Sequence, residues 1–189
     1  MTSTTRERIV RAMSASIQAR GMNATGLNDL VRDAAAPKGV LYHHFPGGKV
    51  QITIAAIDDS VDRLESRLER ATERGDDVLD ALTMWLERAA AALRESSFAL
   101  GCPLATVALE TTPDDRDIRV ALDAAFVRLR GVIAAGLQRE GRTAHDADRM
   151  AFAIVAAYEG GLLQARVAGQ IEPMIDACRF VLDLMRARP

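Results

Sequence analysis

Between Pro37 and Lys49 the chain gathers the side chains best able to grip a polyanion: Lys38, Tyr42, His43, His44 and Lys49, with Gly39 and Val40 among them. Lys38 and Lys49 bring charge to phosphate, while Tyr42 and His43 can donate to phosphates or to base edges. Gly39 would let a helix backbone approach those edges closely. Leu41 and Phe45, four apart, lie on the opposite face and would anchor the segment in a core. Catalysis has no comparable set. There is no nucleophile elbow, phosphate loop or metal-ligand spacing, and the adjacent His43 and His44 fall on different helix faces. The residues therefore predict a binding protein without catalytic activity, cofactor or metal.

The elements that must position these donors are short. Thr25 reads as an N-cap, Asp29 lies in the opening turn behind it, and Leu27, Leu30, Val31 and Ala34 share one face, a helix of about two turns. A turn at Ala35 and Ala36 follows, and Pro37, favoured at a first helical position, starts a second helix through Phe45. Two helices with so brief a connection form the helix-turn-helix layout, whose second helix enters the major groove of DNA. Pro46-Gly47-Gly48 then makes a turn. Lys49 opens the next helix, where its charge and the free amides of the first turn can clasp a phosphate. Upstream, a helix is predicted over residues 5–20, with a Thr4/Glu7 capping box, an inward face of Ile9, Met13 and Ile17, and Gly21 at its end.

Tyr42-His43-His44-Phe45, then Pro46-Gly47-Gly48-Lys49, preceded by Gly21, Thr25 and Gly39, resembles the DNA-binding domain of the TetR family of bacterial transcriptional repressors over roughly residues 5–55. The resemblance implies a homodimer on a palindromic operator, released when a small apolar or cationic effector binds the C-terminal domain. It also implies backbone contacts from Thr5 and Arg6. The expected DNA-contacting set is thus Thr5, Arg6, Thr25, Pro37, Lys38, Gly39, Val40, Tyr42, His43, His44 and Lys49. Two positions depart from the family pattern. Ala35 stands where the turn usually has Gly, which brings strain if that position takes positive φ, and Val31 stands where Ala is usual.

Composition agrees with an all-α fold of about nine helices: only 4% of the 189 residues are aromatic, Ala and Leu abound, and β-branched runs are rare. The net charge of −2 hides an asymmetry. Residues 1–49 hold seven Lys/Arg against three acids, and the remainder 17 against 23, which reads as a cationic head on an acidic body. Residues 1–50 are expected to be the helix-turn-helix domain and residues 51–189 the ligand-binding and dimerisation domain. Cys102 and Cys178 have no metal spacing and read as reduced thiols. No apolar run reaches the ~18 residues of a membrane span, and a cytoplasmic protein without membrane partners is expected.

Downstream, a helix over residues 49–72 would join head to body as a lever. Gly75 ends the connection, and Asp76 or Asp77 caps the next helix, which carries Leu79, Leu82, Leu86 and Leu93 as a stripe. The pattern breaks over 96–103, resumes to Glu110, and Thr112-Pro113-Asp114-Asp115 reads as a further helix start. GCPLATVALE at 101–110 with PDDRDIR after it is similar to the C-terminal domain of the TetR subgroup that includes lincomycin- and multidrug-resistance repressors. A cavity among the body helices would be lined by Trp85, Phe98, Leu104, Val107, Phe126, Phe152 and Tyr158, with Glu159 as a polar contact. The segment 150–158 is apolar all round, and Met174, Cys178, Val181 and Met185 make a second seam. These predict a four-helix twofold interface through Tyr158, Gly161, Ala165, Met174, Cys178, Val181 and Met185. The alternative in another class is a DNA-bound protein whose body recruits a protein partner and takes no small ligand.

Overall fold

The computed structural model describes residues 4–74 and 77–187, without the side chains of Thr72 and Glu73. Gly75 and Asp76 lie outside the described residues. Among the described residues the regular structure is all α-helix: α1 (Thr5–Arg20), α2 (Leu27–Asp33), α3 (Lys38–His44), α4 (Gly48–Glu73), α5 (Val78–Glu95), α6 (Pro103–Glu110), α7 (Arg116–Arg139), α8 (Ala144–Ala168) and α9 (Glu172–Ala187). The all-α class expected from composition is the observed one.

The chain packs as two compact units, and both α4 and α7 run through the division. The first unit takes residues 1–62 and 103–126, so α6 belongs with the N-terminal helices. Its core is Ile9, Met13 and Ile17 from α1, Leu30 from α2, Leu41 and Phe45 around α3, Ile52 and Ile57 from α4, Val107 from α6 and Ile118 from α7, all buried. Burying each such side chain contributes about 1.5–3 kcal/mol. The second unit, residues 63–102 and 127–189, gathers Leu82, Leu86 and Leu93 of α5, Ile133 and Leu137 of α7, Ala151 and Ile154 of α8, and Met174, Cys178 and Leu182 of α9 into one cluster.

Caps fall mostly where the sequence placed them. Thr4 and Glu7 form the reciprocal capping box of α1, and Asp77 accepts from Leu79 and Asp80 at the start of α5. Two starts differ. Thr25 does not cap α2; Gly26 does, without a side-chain bond. Thr112 to Asp115 is a turn closed by the Asp115 carboxylate, which accepts from the Thr112 amide and hydroxyl, and α7 begins only at Arg116. A carboxylate that reaches back to Thr112 holds the chain in a turn that the Thr-Pro-Asp-Asp signature does not distinguish from a helix start.

Between α2 and α3, Ala35 has φ 47°. The left-handed conformation expected of a Gly position is therefore carried by a residue with a Cβ, at roughly 1–2 kcal/mol. Ala35→Gly should raise the stability of the protein by about 0.5–1 kcal/mol, the relieved strain being partly offset by the greater freedom of Gly in the unfolded chain. Urea titration checks this, and an unchanged or lower midpoint would refute strain at the turn.

Candidate nucleic-acid interface and effector site

The helix-turn-helix is built from α2, a four-residue connection and α3. Pro37 is the N-cap of α3 (φ −63°, ψ 145°), one residue before the position expected for it. Leu41 turns inward and is wholly buried, which fixes the rotation of α3 and leaves the other face outside. That face carries exposed Lys38, Gly39, Tyr42 and His43, with Val40 and His44 half-buried beside them. A Cβ built on Gly39 meets nothing within 4 Å, so this stretch of backbone is open to an approaching surface. The His43 and His44 rings meet edge-on with centroids 5.3 Å apart. Lys49 lies in the first turn of α4, its ammonium donating to the Asn23 carbonyl at 3.2 Å.

Three other members of the expected DNA set are bound up in the unit itself. Thr25 is corrected as a DNA-contacting side chain: it is buried, and its hydroxyl pairs with Ser16 Oγ and donates to the Gly21 carbonyl, both at 2.7 Å. A buried hydroxyl with both partners inside the protein cannot reach a phosphate. Thr5 accepts from Arg8, and the exposed Arg6 lays its guanidinium 5.3 Å from the Phe45 ring centroid, tying the start of α1 to the end of α3. Arg8 in turn donates to the Ala34 carbonyl at the end of α2.

Sequence reasoning missed the role of Glu110, the last residue of α6. Its carboxylate accepts the Asn23 amide proton at 2.7 Å and fills the space beside Gly21 so closely that a Cβ there would overlap it. Gly21 also has φ 93°, so two constraints fix its identity. Nothing local signals a bond across 87 residues.

The side chains expected to line a cavity divide between the units. Leu104, Val107 and Phe126 belong to the first, while Trp85, Phe98, Tyr158 and Glu159 belong to the second. In the second unit the Trp85 and Tyr158 rings pack with centroids 4.3 Å apart, tilted by 51°. Next to Tyr158, Glu159 has its Oε2 buried without a hydrogen-bond partner, and the Cys102 thiol is bonded to the same carboxyl. Burial pushes the Glu159 carboxyl up to about 7, the thiol bond opposing that only in part. Burial likewise pushes the Cys178 thiol up to about 11 and the Tyr158 hydroxyl well above its usual range. Phe98 sits in a strained bend after α5, with φ 63° following φ 52° at Ser97. Phe152 is corrected: it is 61% exposed, and Arg130 lies over its ring, so it lines no interior.

The expected dimer seam is also corrected. Gly161, Ala165, Met174, Cys178 and Met185 are buried in the second unit's own core, and Val181 and Tyr158 are half-buried against it. A Cβ on Gly161 would stand 2.8 Å from Met174 Cα, so the small residue serves the approach of α9 to α8 within one protomer. The outward apolar stripes are Phe152, Leu163 and Val167 on α8, and Phe180 and Leu184 on α9. Each of these five is more than half exposed.

Two family models match successive stretches of the chain. The family model described as bacterial regulatory proteins, tetR family, matches residues 9–56, and that of the LmrA/YxaF-like transcriptional regulator C-terminal domain matches residues 78–179. The chain is 27% identical to the HTH-type transcriptional regulator LmrA of Bacillus subtilis, covering 96% of each chain. It is 30% identical to an HTH-type transcriptional regulator of Mycobacterium tuberculosis, covering 96% of this chain and 94% of that one. A solved TetR transcriptional regulator from Legionella pneumophila superposes with a TM-score of 0.81 at 23% identity, covering 97% of this chain and 98% of the other.

Glu159 supplies a stability test. Its carboxyl is raised in the folded state, so the folded protein carries no penalty below the unfolded value near 4.5. As pH rises from there to about 7 the unfolded chain ionises first, and stability is lost. Glu159→Gln should therefore gain on the order of 3 kcal/mol over the parent at pH 8 and almost nothing at pH 4.5. Calorimetry at the two pH values reads the difference, and an equal gain at both would show that the carboxyl is not desolvated.

Proposed function

The chain belongs to the TetR family of transcriptional regulators, with a body of the LmrA/YxaF-like kind, and we propose that it is a homodimeric repressor which a small apolar or cationic effector releases from its operator. Residues 1–50 form the DNA-binding domain in this reading, and residues 51–189 take the effector and pair the protomers. The observation that carries it is the outer face of α3, where Lys38, Tyr42 and His43 are exposed around the bare backbone of Gly39. Two such helices, set one DNA turn apart at about 34–36 Å by a twofold axis, suit a palindromic site. The repressor role follows relatives such as the HTH-type transcriptional repressor NemR of Escherichia coli, 25% identical over 96% of this chain.

The outward stripes of α8 and α9 support the pairing. Phe180 and Leu184, four apart on α9, and Leu163 and Val167, four apart on α8, are exposed apolar ridges, and a second copy of the same two helices would bury them as a four-helix interface. No helix among the described residues is long and apolar enough to cross a membrane. A cytoplasmic protein with no catalytic role completes the reading.

Two experiments test its halves. With DNA flanking its own gene, Lys49→Ala should weaken binding across sequences and reduce the salt slope by roughly one unit; an unchanged slope removes Lys49 from the phosphate contacts. In sedimentation, Phe180→Glu should shift dimer toward monomer while leaving the helical content intact. A persisting dimer would mean that another surface does the pairing.

A further inference from the structure

Along one side of α1, within the first unit, lies a groove of about 580 Å³ whose far wall is Asp33 at the end of α2. That volume is within the range of small-molecule sites. Its floor is made of small side chains, Ala12, Ala15 and Ala19, at three- and four-residue spacing on a face of α1 distinct from the buried row of Ile9, Met13 and Ile17. The charges along it are unevenly placed. Arg8 and Arg11, three apart and so neighbours on the helix surface, line one end, while Arg20 and Asp33 line the other. About 18 Å of helix separates Arg8 from Arg20. At the far end Arg20 donates to Ser16 Oγ at 2.8 Å and stands 4.0 Å from the Asp33 carboxylate. At the near end Arg8 donates to the Ala34 carbonyl at 3.0 Å and to the Thr5 hydroxyl at 3.1 Å, which hold its guanidinium in place.

We propose that this groove binds an organic anion with an apolar body, the charged group seated at Arg8 and Arg11 and the body laid along Ala12, Ala15 and Ala19. The planar fork of a guanidinium suits a carboxylate, sulfonate or phosphate, and the pair of arginines offers two such forks one turn apart. The alanine methyls take apolar surface of the ligand out of water. Duplex DNA matches the lining less well. Its backbone gains nothing from an apolar floor, and a strand tracking the groove would carry charge along its whole length past the Asp33 carboxylate. A compact molecule charged at one end avoids that carboxylate. The site lies in the first unit and does not depend on an effector binding elsewhere in the chain.

Arg8 gives the groove a route to the recognition helix. The carbonyl it holds belongs to Ala34, and the next residue, Ala35, makes the left-handed turn that leads into α3. An anion bound to the Arg8 guanidinium competes with that carbonyl for its donors. On the reading of this unit as the operator-binding head, an occupied groove loosens the turn and weakens the operator complex by about fivefold or more.

Naphthalene-2-sulfonate serves as the probe of the full-length protein, with naphthalene-2-sulfonamide as the same body without charge and methanesulfonate as the charge without a body. Backbone amide NMR reads where each one binds. The sulfonate should shift the amides of residues 8–20 and 33–35, and both counterparts should bind about tenfold more weakly or worse, because each lacks one half of the recognition. Arg11→Gln, at an exposed position, should weaken the sulfonate about fivefold with the rest of the spectrum unchanged. Added salt should weaken it in the parent protein as well. Shifts confined to residues 63–102 and 127–189, equal binding by either counterpart, or undiminished binding by Arg11→Gln would each overturn the proposal. So would an absence of sulfonate binding together with a lower salt slope of Arg11→Gln on duplex DNA, which would give the groove to the phosphate backbone. A bound sulfonate that leaves the operator complex at full strength would uphold the site and refute its coupling to α3.

Discussion

The hydrogen bonds converging on residues 21–25 hold the recognition helix in place. This short turn between α1 and α2 is fastened from inside by the Thr25 hydroxyl on Ser16 and Gly21, and from outside by Lys49 on the Asn23 carbonyl and Glu110 on the Asn23 amide. Three helices, α1, α4 and α6, thus meet on five residues. A seven-residue helix such as α2 or α3 is unstable alone and takes its position from what it packs on. The orientation of Lys38 and Tyr42 therefore depends on a polar knot some fifteen residues earlier in the chain.

The same knot explains why the packing units depart from the division proposed at residue 50. Glu110 draws α6 onto α1, and with it the opening half of α7, so contacts assign residues 103–126 to the N-terminal unit. A displacement of α6 would reach the head without passing through α4.

Periodicity made the helices, the recognition segment and most caps legible, because Ile9, Met13 and Ile17, or Leu41 and Phe45, repeat at helical spacing and are all buried. It failed wherever a choice lay between two apolar faces of one helix. Along α9, Met174, Cys178, Leu182 and Met185 form one stripe at four-, four- and three-residue spacing, and Phe180 and Leu184, four apart, form another. Hydrophobicity alone does not say which is turned to the protomer's own core. The side that closes on α8 is decided by Gly161, a signal that only the packed pair reveals. The left-handed turn at Ala35 was legible from its place in the family pattern, whereas Thr25 was misread because a cap and a buried fastener use the same hydroxyl.

Gly161 has a consequence for how such a protein can change over time. Alanine is the stronger helix former, and a mid-helix glycine costs about 1 kcal/mol against it. Yet a single methyl there would strike the Met174 backbone and pry the last two helices apart. The ridge of Phe180 and Leu184 would tilt with α9, and in the proposed dimer a twofold axis would double any such tilt between the subunits. In the proposed dimer, a substitution that raises helix propensity on paper would thereby alter how two copies meet, and on the proposed palindromic site it would surface first as altered tolerance to the length of the central gap.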